Sequence, residues 1–168
     1  DGTQIAEKMS LLAANALGLT PEDIVIASTG VIGQPLPIEP IAEGMKPLAA
    51  GLNADGSMAA AEGIMTTDVA KKEIAVSFNI GGKECKIGGI AKGSGMIHPN
   101  MATMLVFITS DVSISPAMLS KALKSDIAET FNMLSIDGDT STNDMVCVLA
   151  NGQAGNAQIT EENEDFNE

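Results

Sequence analysis

The stretch from Ile74 to Ile87 constrains the fold more than any other. Ile74, Val76, Phe78 and Ile80 alternate with polar or small residues. Successive side chains of a strand point to opposite sides, so this spacing puts all of these residues on one face. Gly81-Gly82 supplies a two-residue connection of the kind that closes a hairpin, and Cys85 and Ile87 resume the alternation on the return strand. A chain with such a hairpin must find apolar partners for one side of a sheet. It has the material for them: 45% of its 168 residues are hydrophobic and the mean hydropathy is +0.18. A real core is therefore expected, with disorder confined to the C-terminus. The length suits one ordinary domain, and neither a repeat nor a dividing linker is visible.

The rest of the chain reads as an alternation of helices and strands. Residues 4–17 predict a helix with Ile5, Met9, Leu12, Ala13 and Ala16 on one face and Gly18 as a stop. Asp23-Ile24-Val25-Ile26-Ala27 predicts a short strand feeding Ser28-Thr29-Gly30. Residues 38–52 and 57–63 predict helices, and Ile64 to Asp68 a strand end. Met104 to Ile108 reads as a buried strand. Ser115-Pro116 opens a helix as N-cap and first residue, with Met118, Leu119, Ala122, Leu123, Ile127 and Phe131 on its buried face. Met145 to Leu149 is a last strand. The tail from Thr160 holds five acidic residues and no base, which predicts a solvated, frayed end.

Charge and composition narrow the function. The formal net charge is -13, all nine basic residues are lysine, and there are four Phe with no Tyr or Trp. Nucleic-acid sites lean on arginine and stacking rings and repel a strongly acidic protein, so no nucleic-acid partner is expected. No apolar run reaches the length of a membrane span, and no signal peptide opens the sequence. Cys85 and Cys147 lie far apart and no N-x-S/T sequon occurs, so free thiols in a reducing cytoplasm are expected. A single histidine, His98, leaves too few ligands for zinc.

Local motifs keep several chemistries open. Gly88 to Gly93 fits the spacing of a phosphate loop, but Ser94 stands where the phosphate-binding lysine belongs. Asp137, Asp139, Ser141 and Asn143 alternate like calcium ligands, yet Thr142 replaces the required glycine and no glutamate closes the loop. A polar turn with Asx hydrogen bonds is the better reading, and no metal is expected. Ser28-Thr29-Gly30 can offer free backbone N–H groups to an oxyanion, or be an ordinary turn. Thr103 enters an apolar strand from the irregular stretch His98-Pro99-Asn100-Met101-Ala102. If its hydroxyl added to the Ala102 carbonyl, an N-to-O acyl shift and hydrolysis would free a terminal threonine. The α-amine, with a pKa near 8, could then act as base for that hydroxyl. Most threonines at strand starts do nothing chemical.

Five segments occur in order across nearly the whole chain: Ser28-Thr29-Gly30-Val31-Ile32-Gly33, Met65-Thr66-Thr67-Asp68, Lys92-Gly93-Ser94-Gly95-Met96-Ile97, Pro99-Asn100-Met101-Ala102-Thr103-Met104-Leu105 and Asp137-Gly138-Asp139-Thr140-Ser141-Thr142-Asn143-Asp144. Together they resemble the bifunctional ornithine acetyltransferase / glutamate N-acetyltransferase family of arginine biosynthesis. The resemblance implies an α/β, sandwich-like fold of the DmpA/ornithine-acetyltransferase type, here in part. It implies self-cleavage between Ala102 and Thr103 into an α-part of 1–102 and a β-part of 103–168. It makes Thr103 the nucleophile that carries acetyl from N-acetylornithine to glutamate. It gives Thr29 and Gly30 the oxyanion and gives Thr66, Lys92 and Thr103 the substrate contacts. No cofactor is implied, acetyl-CoA being an alternative co-substrate of some members, and the assembly implied is a heterotetramer of two α and two β chains. Members are more than twice as long, so the chain corresponds to the centre of such an enzyme, with little activity expected of it alone. Two other readings stay open: an N-terminal-nucleophile aminopeptidase or amidase of the same fold, with water as acceptor, and a non-catalytic binding domain.

Overall fold

The computed structural model describes residues 2–95, 104–139, 141 and 143–167. The chain forms two compact units, Asp1–Gly56 and Ser57–Glu168.

In the first unit, helix α1 (Gly2–Leu17) packs against α2 (Glu39–Ala50), with Ala14 buried. Both helices match the periodicity of the sequence, and α1 stops at the predicted Gly18. The strand expected over 23–27 does not form. Pro21–Asp23 is instead a short 3-10 turn, with the Thr20 N–H and hydroxyl both donating to the Asp23 carboxylate at 3.1 and 2.9 Å. Ile24 is extended, at φ −105 and ψ 122, but a strand needs a neighbour to pair with. Among the described residues this unit has no strand to offer one.

The second unit opens with α3 (Ser57–Gly63), whose Ala61 is fully buried and which packs on the hairpin. Then come β1 (Lys72–Ile80), β2 (Lys83–Lys92), β3 (Leu105–Ser110), α4 (Pro116–Asp126), β4 (Met145–Ala150) and the short α5 (Glu164–Asn167). The strands form one sheet in the order β1-β2-β3-β4, antiparallel for the first two pairs and parallel for the last. The fold is thus mixed α/β, as expected. Gly81 and Gly82 close the hairpin with φ of +55 and +76, both in the left-handed region that a tight two-residue turn requires. Ser115 caps α4 by accepting the Met118 N–H at 3.3 Å, with Pro116 in the first turn.

The hairpin end of the sheet carries the core. Ile80 and Cys85 cluster with Val112, Met118 and Ile159, and Phe78, Ile114 and Phe166 pack against them. The tail from Thr160 is mostly exposed, but Phe166, half-buried, returns to the core, and Glu162 pairs with Lys121. Along the same face the sheet lies open. Ile74 is 72% and Val76 52% exposed, and with Ile87, Gly89 and Ile108 they line an apolar groove of about 510 Å³. Both cysteines are free, Cys85 buried and Cys147 half-buried. No described helix is long and apolar enough to cross a membrane.

The turn and a helix interior predict opposite responses to one methyl group. Gly82→Ala should lose about 1–2 kcal/mol, because a Cβ is disfavoured at its positive φ. Gly44→Ala, inside α2 with open space around it, should gain up to about 1 kcal/mol. Urea unfolding of each variant checks both signs.

Candidate active site at one end of the sheet

The strand register decides which loops meet. Lys92, the last residue of β2, lies opposite Leu105, the first of β3, and Leu105 lies beside Met145, the first of β4. Lys72, the first residue of β1, opposes Ala91. The segments around Thr66, Lys92, Met104 and Asp144 therefore all join the sheet at one end. Gly88 to Lys92 belongs to a strand, so its phosphate-loop spacing does not describe a loop.

Asp68 ties this end together. Its side chain is fully buried and accepts hydrogen bonds from the Gly93 N–H at 2.8 Å, the Thr66 N–H at 3.3 Å and the Lys72 ammonium. Burial alone would push the carboxyl up. The Lys72 contact and the two amides outweigh it and hold the pKa at about 2. The bond to Thr66 bends the chain back, which is why the strand expected over Ile64 to Asp68 is a turn instead. The Thr67 and Ser94 hydroxyls add a second tie at 2.7 Å.

Asp144 fixes the start of β3. Its carboxylate accepts the Met104 N–H at 2.7 Å, and the Met104 carbonyl accepts the Met145 N–H at 2.9 Å. The backbone is thus held on both sides of Met104, one residue after Thr103. Burial pushes the Asp144 carboxyl above its ordinary value, and the Met104 N–H only partly opposes this. The polar segment before it turns as expected: Asp137 accepts the Asp139 N–H and Ser141 the Asn143 N–H, both at 3.2 Å. Asp137 also lies against Gly95, where an added Cβ would sit 3.6 Å from the carboxylate. Among the described residues no group of three His, Cys, Asp or Glu side chains is placed to hold a metal.

Lys92 is only 4% exposed. Its ammonium has no hydrogen bond or ion pair among the described residues, because Asp68 is engaged by Lys72 and the amides instead.

A family model described as "ArgJ family" matches residues 1–168. The chain belongs to the ArgJ family. It is 54% identical over 158 residues to the arginine biosynthesis bifunctional protein ArgJ of Symbiobacterium thermophilum, covering 94% of this chain and 39% of that protein. It is 49% identical over 161 residues to the protein of the same name from Thermotoga neapolitana, covering 96% and 40%. The crystal structure of the arginine biosynthesis bifunctional protein ArgJ from Bacillus halodurans superposes with a TM-score of 0.53 at 37% identity, over 60% of this chain and 53% of that one. The chain spans about two fifths of the length of these curated relatives.

Within the ArgJ-family chain the expected site residues fall into three groups. Thr66 and Lys92 lie at the same sheet end, joined through Asp68. Thr29, half-buried, and Gly30, exposed, belong to the first unit, in irregular backbone. Ala102 and Thr103 lie outside the described residues. Sequence reasoning missed the roles of Asp68 and Asp144, although both stand in segments it singled out. The available signals were an acid two residues after Thr66 and an acid abutting the apolar run from Met145.

These carboxylates predict opposite pH behaviour. The depressed pKa of Asp68 means its contribution, about 2 kcal/mol, is intact above pH 4 and lost as pH falls toward 2. Urea unfolding of wild type and Asp68→Asn should therefore differ at neutral pH and converge in acid. The raised pKa of Asp144 means its charge opposes folding at neutral pH. Asp144→Asn, which still accepts the Met104 N–H, should be no less stable than wild type at pH 7. Asp144→Ala orphans that amide and should lose about 1–3 kcal/mol in the same assay.

Proposed function

We propose that this chain is the central part of an enzyme that transfers acetyl from N-acetylornithine to glutamate in arginine biosynthesis, through an acetyl ester on Thr103. The observation that carries this reading is Lys92, a largely buried side chain whose ammonium has no hydrogen bond or ion pair among the described residues, at the sheet end where the segments of Thr66, Met104 and Asp144 meet. A cation with no internal counter-charge attracts an anion brought to it. Donor and acceptor are both amino acids and both bring a carboxylate.

The chemistry follows from a threonine that becomes a chain terminus. Its hydroxyl first adds to the Ala102 carbonyl, and the Ala102–Thr103 C–N bond breaks as the acyl group moves to oxygen. Water then hydrolyses the ester, leaving a carboxylate on Ala102 and an amine on Thr103. That amine takes the proton of its own hydroxyl as the oxygen attacks the acetyl carbonyl of N-acetylornithine. Ornithine leaves with the proton, and the acetyl group stays on Thr103. The amine of glutamate attacks the ester, N-acetylglutamate departs, and the hydroxyl regains its proton. A built-in base contributes roughly 10²–10⁴-fold. Thr29 and Gly30 are the donors for the tetrahedral oxyanion, and a preorganised donor is worth about 3–4 kcal/mol. Thr66 orients the substrate by a hydrogen bond. Nucleophile and base come from one residue, so the transfer requires no cofactor, and acetyl-CoA would enter as a co-substrate at the same oxygen. The processed enzyme is a heterotetramer of two α and two β chains.

The test is made on the full-length protein. Mass spectrometry under denaturing conditions should find two chains, the second beginning at Thr103. Thr103→Ala should give one uncut chain with no acetyl transfer. Undiminished transfer by that variant would contradict the mechanism.

A further inference from the structure

We propose that Asp68 is a positioning residue for substrate binding, its buried carboxylate setting Thr66 and Lys92 at the spacing that receives the substrate. The proposal rests on the reading of those two residues as substrate contacts. It concerns a residue to which that reading gives no role.

Its basis is what the carboxylate holds. One oxygen takes the amide of Thr66 and the other the amide of Gly93, the residue directly after Lys92 and 25 positions away in sequence. No other described side chain bonds to both segments' backbones. The turn it secures has little stiffness of its own. Gly93 has a φ of +143, open to glycine and rarely adopted by other residues, and glycine brings no local preference that would hold the chain there. The other tie, between the Thr67 and Ser94 hydroxyls, is exposed to water.

Its charge is directed away from the substrate as well. Asp68 and Lys92 are both buried at this end of the sheet, yet they form no ion pair. Lys72, four residues on and half exposed, reaches the carboxylate instead and shares an oxygen with the Gly93 amide. The negative charge is thus committed to two amides and an outer lysine, and the Lys92 ammonium stays available to a carboxylate from outside. Asparagine at this position would keep one acceptor oxygen but turn an NH2 group toward either Thr66 or Gly93.

The experiment compares full-length wild type, Asp68→Asn, Asp68→Glu and Lys92→Met in steady-state acetyl transfer, with self-cleavage and unfolding midpoint recorded for each. For Asp68→Asn we expect cleavage to persist, KM for N-acetylornithine and for glutamate to rise roughly tenfold or more, and kcat to stay within about threefold. Asp68→Glu, which keeps the charge on a longer stem, should fall between. Should Asp68→Asn fail to fold, a raised KM in Asp68→Glu with its unfolding midpoint retained carries the same support. If KM rises in Lys92→Met but is unchanged in the folded Asp68 variants, the positioning role is overturned and the substrate reading stands. If Lys92→Met itself leaves KM unchanged, the substrate reading of Lys92 fails, and the proposal with it.

Discussion

A carboxylate taken fully out of water stays ionised only if its surroundings replace the lost hydration. At Asp68 that replacement comes from one ammonium and two amide N–H groups, contributed by three different stretches of the chain. The consequence is geometric. The turn after α3, the start of β1 and the end of β2 must come together at one point, or the charge is stranded. From that point the register carries the constraint across the sheet, from Lys92 to Leu105 and on to Met145. On the far side Asp144 acts through a single amide, its half-buried carboxylate accepting the Met104 N–H. The sheet end is therefore held by one buried and one half-buried acid acting on backbone, and Lys92 is left without a partner among the described residues.

Much of the framework was legible because its signals are local. Alternation from Ile74 with a glycine pair at 81–82 determines a hairpin within a few residues, and Ser115-Pro116 marks a helix start by itself. Where the outcome depends on distant partners, the sequence misled. Ile24 to Ala27 has the composition of a strand but no strand to pair with in its unit. Ile64 to Asp68 looks extended, but Asp68 accepts the Gly93 amide 25 positions away as well as the nearby Thr66 amide, and the segment turns. The acidic tail from Thr160 reads as solvated, yet Phe166 finds the core. The candidate site divides in the same way. Thr66 and Lys92 were reached through resemblance, and the structure joins them through Asp68. Asp68 and Asp144 passed unnoticed in the role they have, because their partners are amides 25 and 40 positions away and an amide has no sequence signature.

The arrangement suits acyl transfer in a specific sense. Such a reaction needs its substrate held against a nucleophile while charge develops at a carbonyl oxygen. In the proposed reading a lysine without an internal partner is the group that would receive the substrate's carboxylate, while Asp144 holds the backbone at Met104. Of the two acids that do the holding, Asp68 has its charge balanced locally by Lys72. Holding and binding are thereby assigned to different residues, so the site can be rigid and still present an unopposed positive charge.

The central claim is that the acetyl group rests on the oxygen of Thr103 between donor and acceptor. The most direct measurement is peptide mapping of the full-length enzyme quenched in acid after mixing with N-acetylornithine in the absence of glutamate. The account predicts one acetyl group per site, on the peptide that begins at Thr103, and its loss when glutamate is added. An enzyme that transfers acetyl under these conditions while that peptide stays unmodified would contradict it.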